Sequence, residues 1–317
     1  MPPQTSSQAL TLKATELVKQ GKFQAALDFI VSNKSELDGN AEAHYIRAVC
    51  LSRLGLANDA IIALEMVLSI DPNYVRAYQE LGHIFIGQGN VSPAIKAYET
   101  AVAADNALIA SWKGLVTLYT KNANKAALDR AQHEVNQLNA LHPALQAVKS
   151  QLNRDNLSMA DQICRDYMLQ NKQDIEGMRL LAEIAVRAKM LEEADFILES
   201  AVVFSPNHIG ARFDYANLLI KRQKFGVAHV IATTLNQQNP NQVQFQVLLA
   251  ATLSGVGDTQ ASATLYKDIV KHNPVMQSLL LLLGHAEKTL GNIDAATGAY
   301  RQLYKQLPSF GDAFWSL

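Results

Sequence analysis

The sequence of 317 residues is poor in cysteine, in charge and in long apolar runs. Its two cysteines, Cys50 and Cys164, are far apart, so their number excludes a disulfide framework or a zinc site, and both are interpreted as small buried apolar residues. The longest aliphatic run, 279–283, is far below the roughly 18 residues that a spanning helix needs. The first seven residues lack the basic and apolar regions of a secretory signal. We therefore expect a soluble, cytoplasmic protein with no membrane partner.

Charged residues make up only 18% of the chain, and 28 Lys+Arg against 29 Asp+Glu leave a net charge of −1. Such a chain has no global field that attracts nucleic acid. Apolar residues make up 49% of it, which is enough to bury a core. The polar surface consists largely of neutral amides, so salt-bridge networks are not expected to stabilise the fold.

Motifs that carry chemistry are missing from the sequence. The eight histidines include no pair at i and i+4 with an intervening glutamate, and there is no Cys-x-x-Cys. The Gly-x-Gly strings at 87–89 and 255–257 follow no predicted strand, and no Gly-x-Ser-x-Gly elbow occurs. We expect no cofactor, no metal and no catalytic residue in this chain.

A period of 34 residues is visible first in the prolines Pro206, Pro240, Pro274 and Pro308. Between such markers, small and large apolar residues recur in the same order. In residues 75–108 they are Tyr78, Leu81, Gly82, Phe85, Ala94, Tyr98 and Ala101. Spacings of three, four and seven place one apolar stripe on each of two helices. Each helical hairpin then has an apolar face that it cannot bury alone, which predicts a stack of hairpins.

This pattern resembles the tetratricopeptide repeat, which has a large apolar residue, Leu-Gly/Ala and Tyr on helix A, then Ala, an aromatic, Ala and Pro around helix B. The small residues Gly82 and Ala216 on helix A, and Ala94 and Ala228 on helix B, permit close approach. The resemblance implies an all-α, right-handed solenoid of about nine helical hairpins. It also implies a non-catalytic scaffold that binds a protein or peptide in a concave groove.

The units are regular except in the middle of the chain. The expected boundaries are a disordered lead-in at 1–6, units one to four at 7–145, a degenerate fifth unit at 146–174, units six to nine at 175–310 and a truncated further helix at 311–317. The fourth unit is interpreted as stretched, because Ala131, Val135 and Leu138 arrive three residues late. We expect the superhelix geometry to change at this irregular pair of units.

The groove residues follow from the resemblance and from helical spacing, which place the fifth and ninth positions of helix A on the concave face. The candidates are Tyr45, Gln79, His83, Lys113, Arg179, Glu183, Phe213, Asn217, Val247, Leu281 and His285. The N-terminal part of this face is polar, whereas Phe213, Val247 and Leu281 form an apolar ladder. Exposed apolar ladders usually mark an interface, such as one with an amphipathic helix or a neighbouring domain. Alternatively, tight curvature buries the apolar ladder against adjacent helices.

The thirteenth positions carry a basic row at the ends of successive helices A. Its members are Lys19, Arg53, Lys121, Arg187 and Lys221. These cations complement the helix dipoles, or they form a track for an acidic peptide. Family members that bind chaperones grip a C-terminal carboxylate with a Lys and an Asn four residues apart. This chain has Gln79 with His83 and Lys113 with Thr117 instead, so chaperone tails are not expected as ligands.

The last ten residues, 308–317, place Phe314 and Leu317 at the first signature positions of a further helix A. This segment resembles the junction of bacterial proteins in which tetratricopeptide repeats precede a sulfotransferase domain. The alternative function is therefore a substrate-recruiting or docking arm for a catalytic domain beyond residue 317, with that domain as a partner. RNA binding is disfavoured by the neutral charge and by the repeat pattern.

Overall fold

The computed structural model describes residues 6–273 and 277–307, and every regular element in these ranges is an α-helix. The helices are α1 (Ser6–Lys19), α2 (Phe23–Ser32), α3 (Lys34–Leu37), α4 (Ala41–Arg53), α5 (Ala57–Ile70), α6 (Val75–Gly87), α7 (Val91–Ala104), α8 (Ile109–Lys121), α9 (Lys125–Ala140), α10 (Pro143–Asn153), α11 (Leu157–Gln170), α12 (Ile175–Arg187), α13 (Leu191–Phe204), α14 (Ile209–Lys221), α15 (Phe225–Gln238), α16 (Val243–Gly255), α17 (Thr259–His272), α18 (Gln277–Thr289) and α19 (Ile293–Gln306). Apart from the short α3, they follow one another along the chain as nine pairs of helices within these ranges, and eight of these pairs pack as hairpins.

In each pair, the first helix is called helix A and the second helix B. Helices A begin at residues 41, 75 and 109, and later at 175, 209, 243 and 277, which are the steps of 34 that the sequence predicts. Neighbouring helices pack in chain order, with α4 on α5, α6 on α7 and α12 on α13. The predicted all-α repeat fold is confirmed. The lead-in is expected at 1–6, but α1 already begins at Ser6; residues 1–5 and the further helix at 311–317 lie outside the described residues.

The irregular middle of the chain differs from the expected boundaries. Helix α10 begins at Pro143, three residues before the boundary expected at 146, because proline suits the first helical position and His142 Nδ1 caps the first turn. Helix α9 begins in regular register, and Ala131, Val135 and Leu138 are buried on it. The three-residue delay of these apolar residues therefore has a different cause from the expected stretching of the unit. No residues are inserted before α9, and a different face of α9 turns inward.

Helices pack closely where a small residue faces an aromatic ring. Tyr98 of α7 is fully buried between Gly82 of α6 and Gly114 of α8. A Cβ atom on Gly82 would lie 2.5 Å from Tyr98 Cε1, and one on Gly114 would lie 2.6 Å from Cε2. Gly284 of α18 faces Tyr300 of α19 in the same way. The alanines predicted to permit close approach are also fully buried: Ala94, Ala216 and Ala228.

This packing predicts opposite effects for one substitution at two glycines of the last hairpin. Gly284→Ala is expected to lower the free energy of unfolding by about 1–3 kcal/mol, because the new Cβ meets the buried Tyr300 ring. Gly298→Ala in α19 is the matched control, since its Cβ meets nothing within 4 Å. It is expected to raise that free energy by about 0.5–1 kcal/mol. Urea denaturation followed by circular dichroism measures both, and equal effects would contradict the packing.

Every turn between helix A and helix B within the described ranges holds one residue in the left-handed conformation. Five are glycines: Gly21, Gly55, Gly89, Gly257 and Gly291. The other four are Ala123, Asp155, Lys189 and Gln223, with φ between 51° and 62°. The left-handed conformation is unfavourable for residues with a Cβ atom, although Asp tolerates it better than most. Four turns in the middle of the chain are therefore strained.

The loop before helix A is tied to that helix by a side chain at its fourth position. His44 Nε2 lies 2.8 Å from Asp38 O, and Tyr78 Oη donates to Pro72 O at 3.0 Å. The same bond is made by Trp112 to Asn106 O at 2.9 Å and by Gln246 to Pro240 O at 2.7 Å. Four different side chains at the same repeat position thus each form a hydrogen bond with a backbone carbonyl of the preceding loop.

The described chain forms two compact units, the first ending at Asn156 and the second beginning at Leu157. In the first unit, α10 is anchored by the fully buried carboxylate of Asp105, in the loop between α7 and α8. Asp105 accepts hydrogen bonds from Ser150 Oγ at 2.6 Å and from Asn153 Nδ2 at 2.8 Å, and Arg154 Nη2 lies 3.6 Å away. The C-terminal half of α10 therefore lies against this loop.

The anchor is tested by comparing Asp105 with Asp71, which occupies the same position one repeat earlier. Each carboxylate accepts a backbone N–H two residues ahead, at 3.0 Å, but only Asp105 also binds α10. Asp105→Ala is expected to lower the free energy of unfolding of the first unit by about 1–3 kcal/mol more than Asp71→Ala, because the half-buried Ser150 and Asn153 on α10 lose their acceptor. Equal losses in urea denaturation would rule out the anchor.

Candidate partner-binding face

The predicted groove residues lie on successive helices A, and several fifth-position side chains are engaged by the next helix A. Tyr45 is buried beneath the Arg76 guanidinium, 4.2 Å from its ring centroid. Gln79 Oε1 accepts a hydrogen bond from Ser111 Oγ at 3.3 Å. The fifth position of a helix A thus connects neighbouring units, whatever else it does.

The cluster around Tyr45 contains residues that the sequence analysis did not select. Tyr74 stacks at 5.3 Å against Tyr45 and donates a hydrogen bond to Glu42, and Arg76 Nη1 lies 3.3 Å from Glu42 Oε1. Burial is the main cause of the raised pKa of Tyr74, so its hydroxyl remains a donor. Glu42 and Arg76 each occupy the second position of a helix A, and this shared repeat position is the feature of the sequence that could have identified them.

The apolar ladder of Phe213, Val247 and Leu281 is half-buried. The Phe213 ring packs edge-on against Phe245 at 5.7 Å, and Val247 and Leu281 each pack against core clusters of the second unit. These contacts support the interpretation that the apolar ladder is covered by adjacent helices. Part of each side chain is still accessible, so partial cover by neighbours and contact with a partner are compatible.

Arg179 and Glu183, two charged candidates of the second unit, each form an ion pair within that unit. Arg179 Nε donates to Asp214 Oδ2 at 2.6 Å, and its Nη1 donates to Glu176 at 2.9 and 3.0 Å. Burial raises the pKa of Asp214, and the hydrogen bond from Arg179 opposes that shift. Arg187 Nη2 donates to Glu183 Oε1 at 2.6 Å. Arg179 and Glu183 are thus satisfied without a partner.

Two histidines of the predicted face stand beside tyrosines. His83 is exposed, and its Nδ1 lies 2.8 Å from Oη of the buried Tyr98. Partial desolvation of its ring lowers the pKa of His83, which favours a neutral ring that accepts a hydrogen bond from the tyrosine hydroxyl. His285, also exposed, lies edge-on to Tyr300 at 5.8 Å. Both histidines help to hold a core aromatic ring and leave one edge at the surface.

The remaining candidates differ in exposure. Lys113 is exposed, and Asn217 is half-buried and donates to Phe213 O at 2.9 Å. The basic row occupies the last turn of its helices, with Lys19, Arg53, Lys121 and Lys221 exposed and Arg187 paired to Glu183. That placement fits dipole complementation, and the four exposed cations also leave the track for an acidic peptide open.

The internal pairing predicts that two basic candidates differ in their effect on stability. Arg179→Met is expected to lower the free energy of unfolding by about 1 kcal/mol, a modest value because Arg179 and Asp214 are partly exposed. Lys113→Met is the control and is expected to change it by less than about 0.5 kcal/mol, since its ammonium group forms no ion pair with described residues. Urea denaturation at low and high salt measures both, and the Arg179 effect should shrink in high salt.

Chemical sites are limited within the part of the chain that the structure describes. No three His, Cys, Asp or Glu side chains there are grouped to hold a metal ion, and no helix there is long and apolar enough to cross a membrane. Cys50 and Cys164 are fully buried, as the sequence predicts. Burial raises the pKa of the Cys50 thiol to about 11 and that of Cys164 to about 12, which keeps both protonated and unreactive.

Known proteins similar to this chain share the repeat. One of them is the small glutamine-rich tetratricopeptide repeat-containing protein 2 of Mycosarcoma maydis, which is 30% identical over 132 residues. The match covers 37% of this chain and 38% of that relative, so the chain spans well under half of the relative's length.

Solved structures with a similar helical arrangement are more distant in sequence. MamA (41-end) from Desulfovibrio magneticus RS-1 is 14% identical with a TM-score of 0.47, over 54% of this chain and 99% of that one. A thermophilic repeat protein of Thermus thermophilus has the same identity and TM-score, over 54% and 94%. YrrB, described as having an unusual peptide-binding site, is 10% identical with a TM-score of 0.39, over 80% and 97%.

A family model described as tetratricopeptide repeat matches residues 11–75 and 247–316, and a second model of that description matches 75–108. Together these segments make up more than half of the sequence. The chain belongs to the tetratricopeptide repeat family.

Proposed function

We propose that this chain is a non-catalytic protein-interaction module whose second unit binds an amphipathic helix of a partner across helices α14, α16 and α18. The observation that carries the proposal is the apolar ladder, which places one half-buried apolar side chain on each of these three helices. Each side chain is positioned by contacts beneath it and accessible above it. Such a row suits the regularly spaced apolar residues of a helix better than a small polar ligand.

Polar groups beside the apolar ladder would set the orientation of the bound helix. Asn217 and His285 lie one helical turn beyond Phe213 and Leu281, and the exposed Lys221 lies at the end of α14. Arg179 and Glu183 contribute less, because their charges are already satisfied internally. The proposed contact is thus apolar in its centre and polar at one side, which is typical of protein interfaces.

The first unit offers a different surface at the equivalent positions. Gln79, His83, Lys113 and Thr117 are polar and either half-buried or exposed, and none is charged except Lys113. We propose that this face makes weaker, polar contacts with a protein partner.

The proposal is tested with a peptide that is selected for binding from a displayed library of amphipathic helices. Val247→Asn with Leu281→Asn is expected to weaken its binding at least tenfold, as measured by fluorescence anisotropy, because two apolar contacts are lost (about 0.8 kcal/mol per buried methylene). Val203→Asn with Val230→Asn is the matched control, since these exposed valines lie on helices B of the same unit. It is expected to leave binding unchanged.

Circular dichroism and urea denaturation of each double variant separate folding from binding. A variant at Val247 and Leu281 that stays folded but loses the peptide supports the proposal. Retained binding in that variant, or equal loss in the control, contradicts it. Unfolding of the variant at both positions would show that the apolar ladder belongs to the core, and the proposed surface would then be wrong.

The alternative, a substrate-recruiting arm of a sulfotransferase, rests on the ten residues 308–317, which lie outside the described residues. The presence or absence of a strand–loop–helix phosphate motif encoded after residue 317 decides it.

A further inference from the structure

An open cavity of about 520 Å³ lies between α7, α8 and α9 in the first unit. Its floor consists of Trp112, Leu115 and Tyr119 of α8. Trp112 and Tyr119 are 5% and 7% exposed and Leu115 is fully buried, so only a small part of the two aromatic side chains is accessible. A volume of this size is sufficient for a long side chain or a small ligand.

The cavity results from the face that α9 turns inward. At the position where α5 and α7 carry Ile61 and Ile95, which pack against core clusters, α9 carries the exposed Asp129. The small Ala127 and Ala131 face inward on α9 instead, and Ala127 lines the cavity. The late apolar stripe of the fourth unit is therefore the sequence signal of this cavity.

Two carboxylates and one guanidinium stand around the floor. Glu99 accepts a hydrogen bond from Tyr119 Oη at 2.6 Å, which fixes that carboxylate at the wall. Glu134 and Arg130 also line the cavity, and neither side chain forms a hydrogen bond or ion pair with any residue that the structure describes. The cavity is thus lined by two negatively charged groups and one positively charged group.

This combination selects for one class of ligand. Aromatic rings and aliphatic walls suit an apolar stem or a flat guanidinium, and carboxylates beside aromatic rings attract cations. An anion would face Glu99 and Glu134, and a neutral apolar group would desolvate both carboxylates without compensation. A lysine or arginine side chain satisfies both the walls and the carboxylates.

We propose that this cavity binds a basic side chain of a partner protein, on the face of α8 away from the predicted groove. At about 100° per residue, Trp112, Leu115 and Tyr119 lie on the opposite side of α8 from Lys113 and Thr117. The inference does not depend on the proposed function of the second unit. One chain can then hold two protein segments at once, one at each unit.

Trp112 provides a direct measurement, since the only other tryptophan, Trp315, can be replaced in a Trp315→Phe background. The probes are three acetylated and amidated peptides, Gly-Arg-Gly, Gly-Lys-Gly and Gly-Glu-Gly. The arginine and lysine peptides are expected to change Trp112 fluorescence with saturation, and binding should weaken with salt. The glutamate peptide is expected to give no saturable change.

Removing a negative charge and removing a positive charge from the cavity are expected to change the affinity for the arginine peptide in opposite directions. Glu134→Gln is expected to weaken binding of the arginine peptide about two- to fivefold, and Arg130→Gln is expected to strengthen it by a similar factor. Ala127→Leu fills the cavity and is expected to abolish binding. Glu16→Gln, in α1 and remote from the cavity in sequence, is the matched control and should have no effect.

The strengthening expected for Arg130→Gln cannot arise from misfolding, so the test stays informative even if Ala127→Leu disturbs the unit. The inference is overturned if neither basic peptide saturates or if the glutamate peptide binds equally well. It is also overturned if Glu134→Gln and Arg130→Gln shift the affinity in the same direction.

Discussion

Close contact between a small residue of one helix and an aromatic ring of another is the constraint on which this structure depends. The Tyr98 ring fills the space between Gly82 and Gly114, so one side chain sets the separation of three helices. Other contacts require that separation. Gln79 meets Ser111 on the next helix A, at 3.3 Å, only because the two helices are held side by side. The helices A of this unit therefore present their side chains in one row.

The repeat fold could be predicted from the sequence because apolar and small residues recur with helical spacing, and such spacing is visible without any long-range information. The packing of α10 could not. It depends on Asp105 meeting Ser150 and Asn153, which are 45 and 48 residues away. Polar residues at such separations leave no periodic signal, and the repeat pattern alone assigns the proline at 143 to the end of the preceding unit.

The sequence predicts which residues lie on the candidate face, but it does not predict whether their side chains are covered by neighbouring residues or accessible to a partner. Helical spacing locates the fifth residue of each helix A, but its partner on the next helix A decides whether the side chain is covered. Tyr45 lies beneath Arg76, and Arg179 is held by Asp214, because those partners happen to be complementary. The cavity beside α8 could not be predicted from the sequence either. It arises from the face that α9 turns inward, and the sequence shows this only as an irregular spacing of apolar residues in the fourth unit.

The strained turns have a consequence for how the chain opens. Ala123, Asp155, Lys189 and Gln223 occupy four consecutive A–B turns, while glycine occupies the turns on either side. In a repeat protein each unit is stabilised mainly by its neighbours, so a local deficit lowers the stability of one segment rather than of the whole. Amide hydrogens in the middle of the chain should exchange with solvent sooner than those of the glycine-turn units at either side. One of these weaker units begins at Pro143, and the step from there to the next helix A, at Ile175, is 32 residues instead of 34.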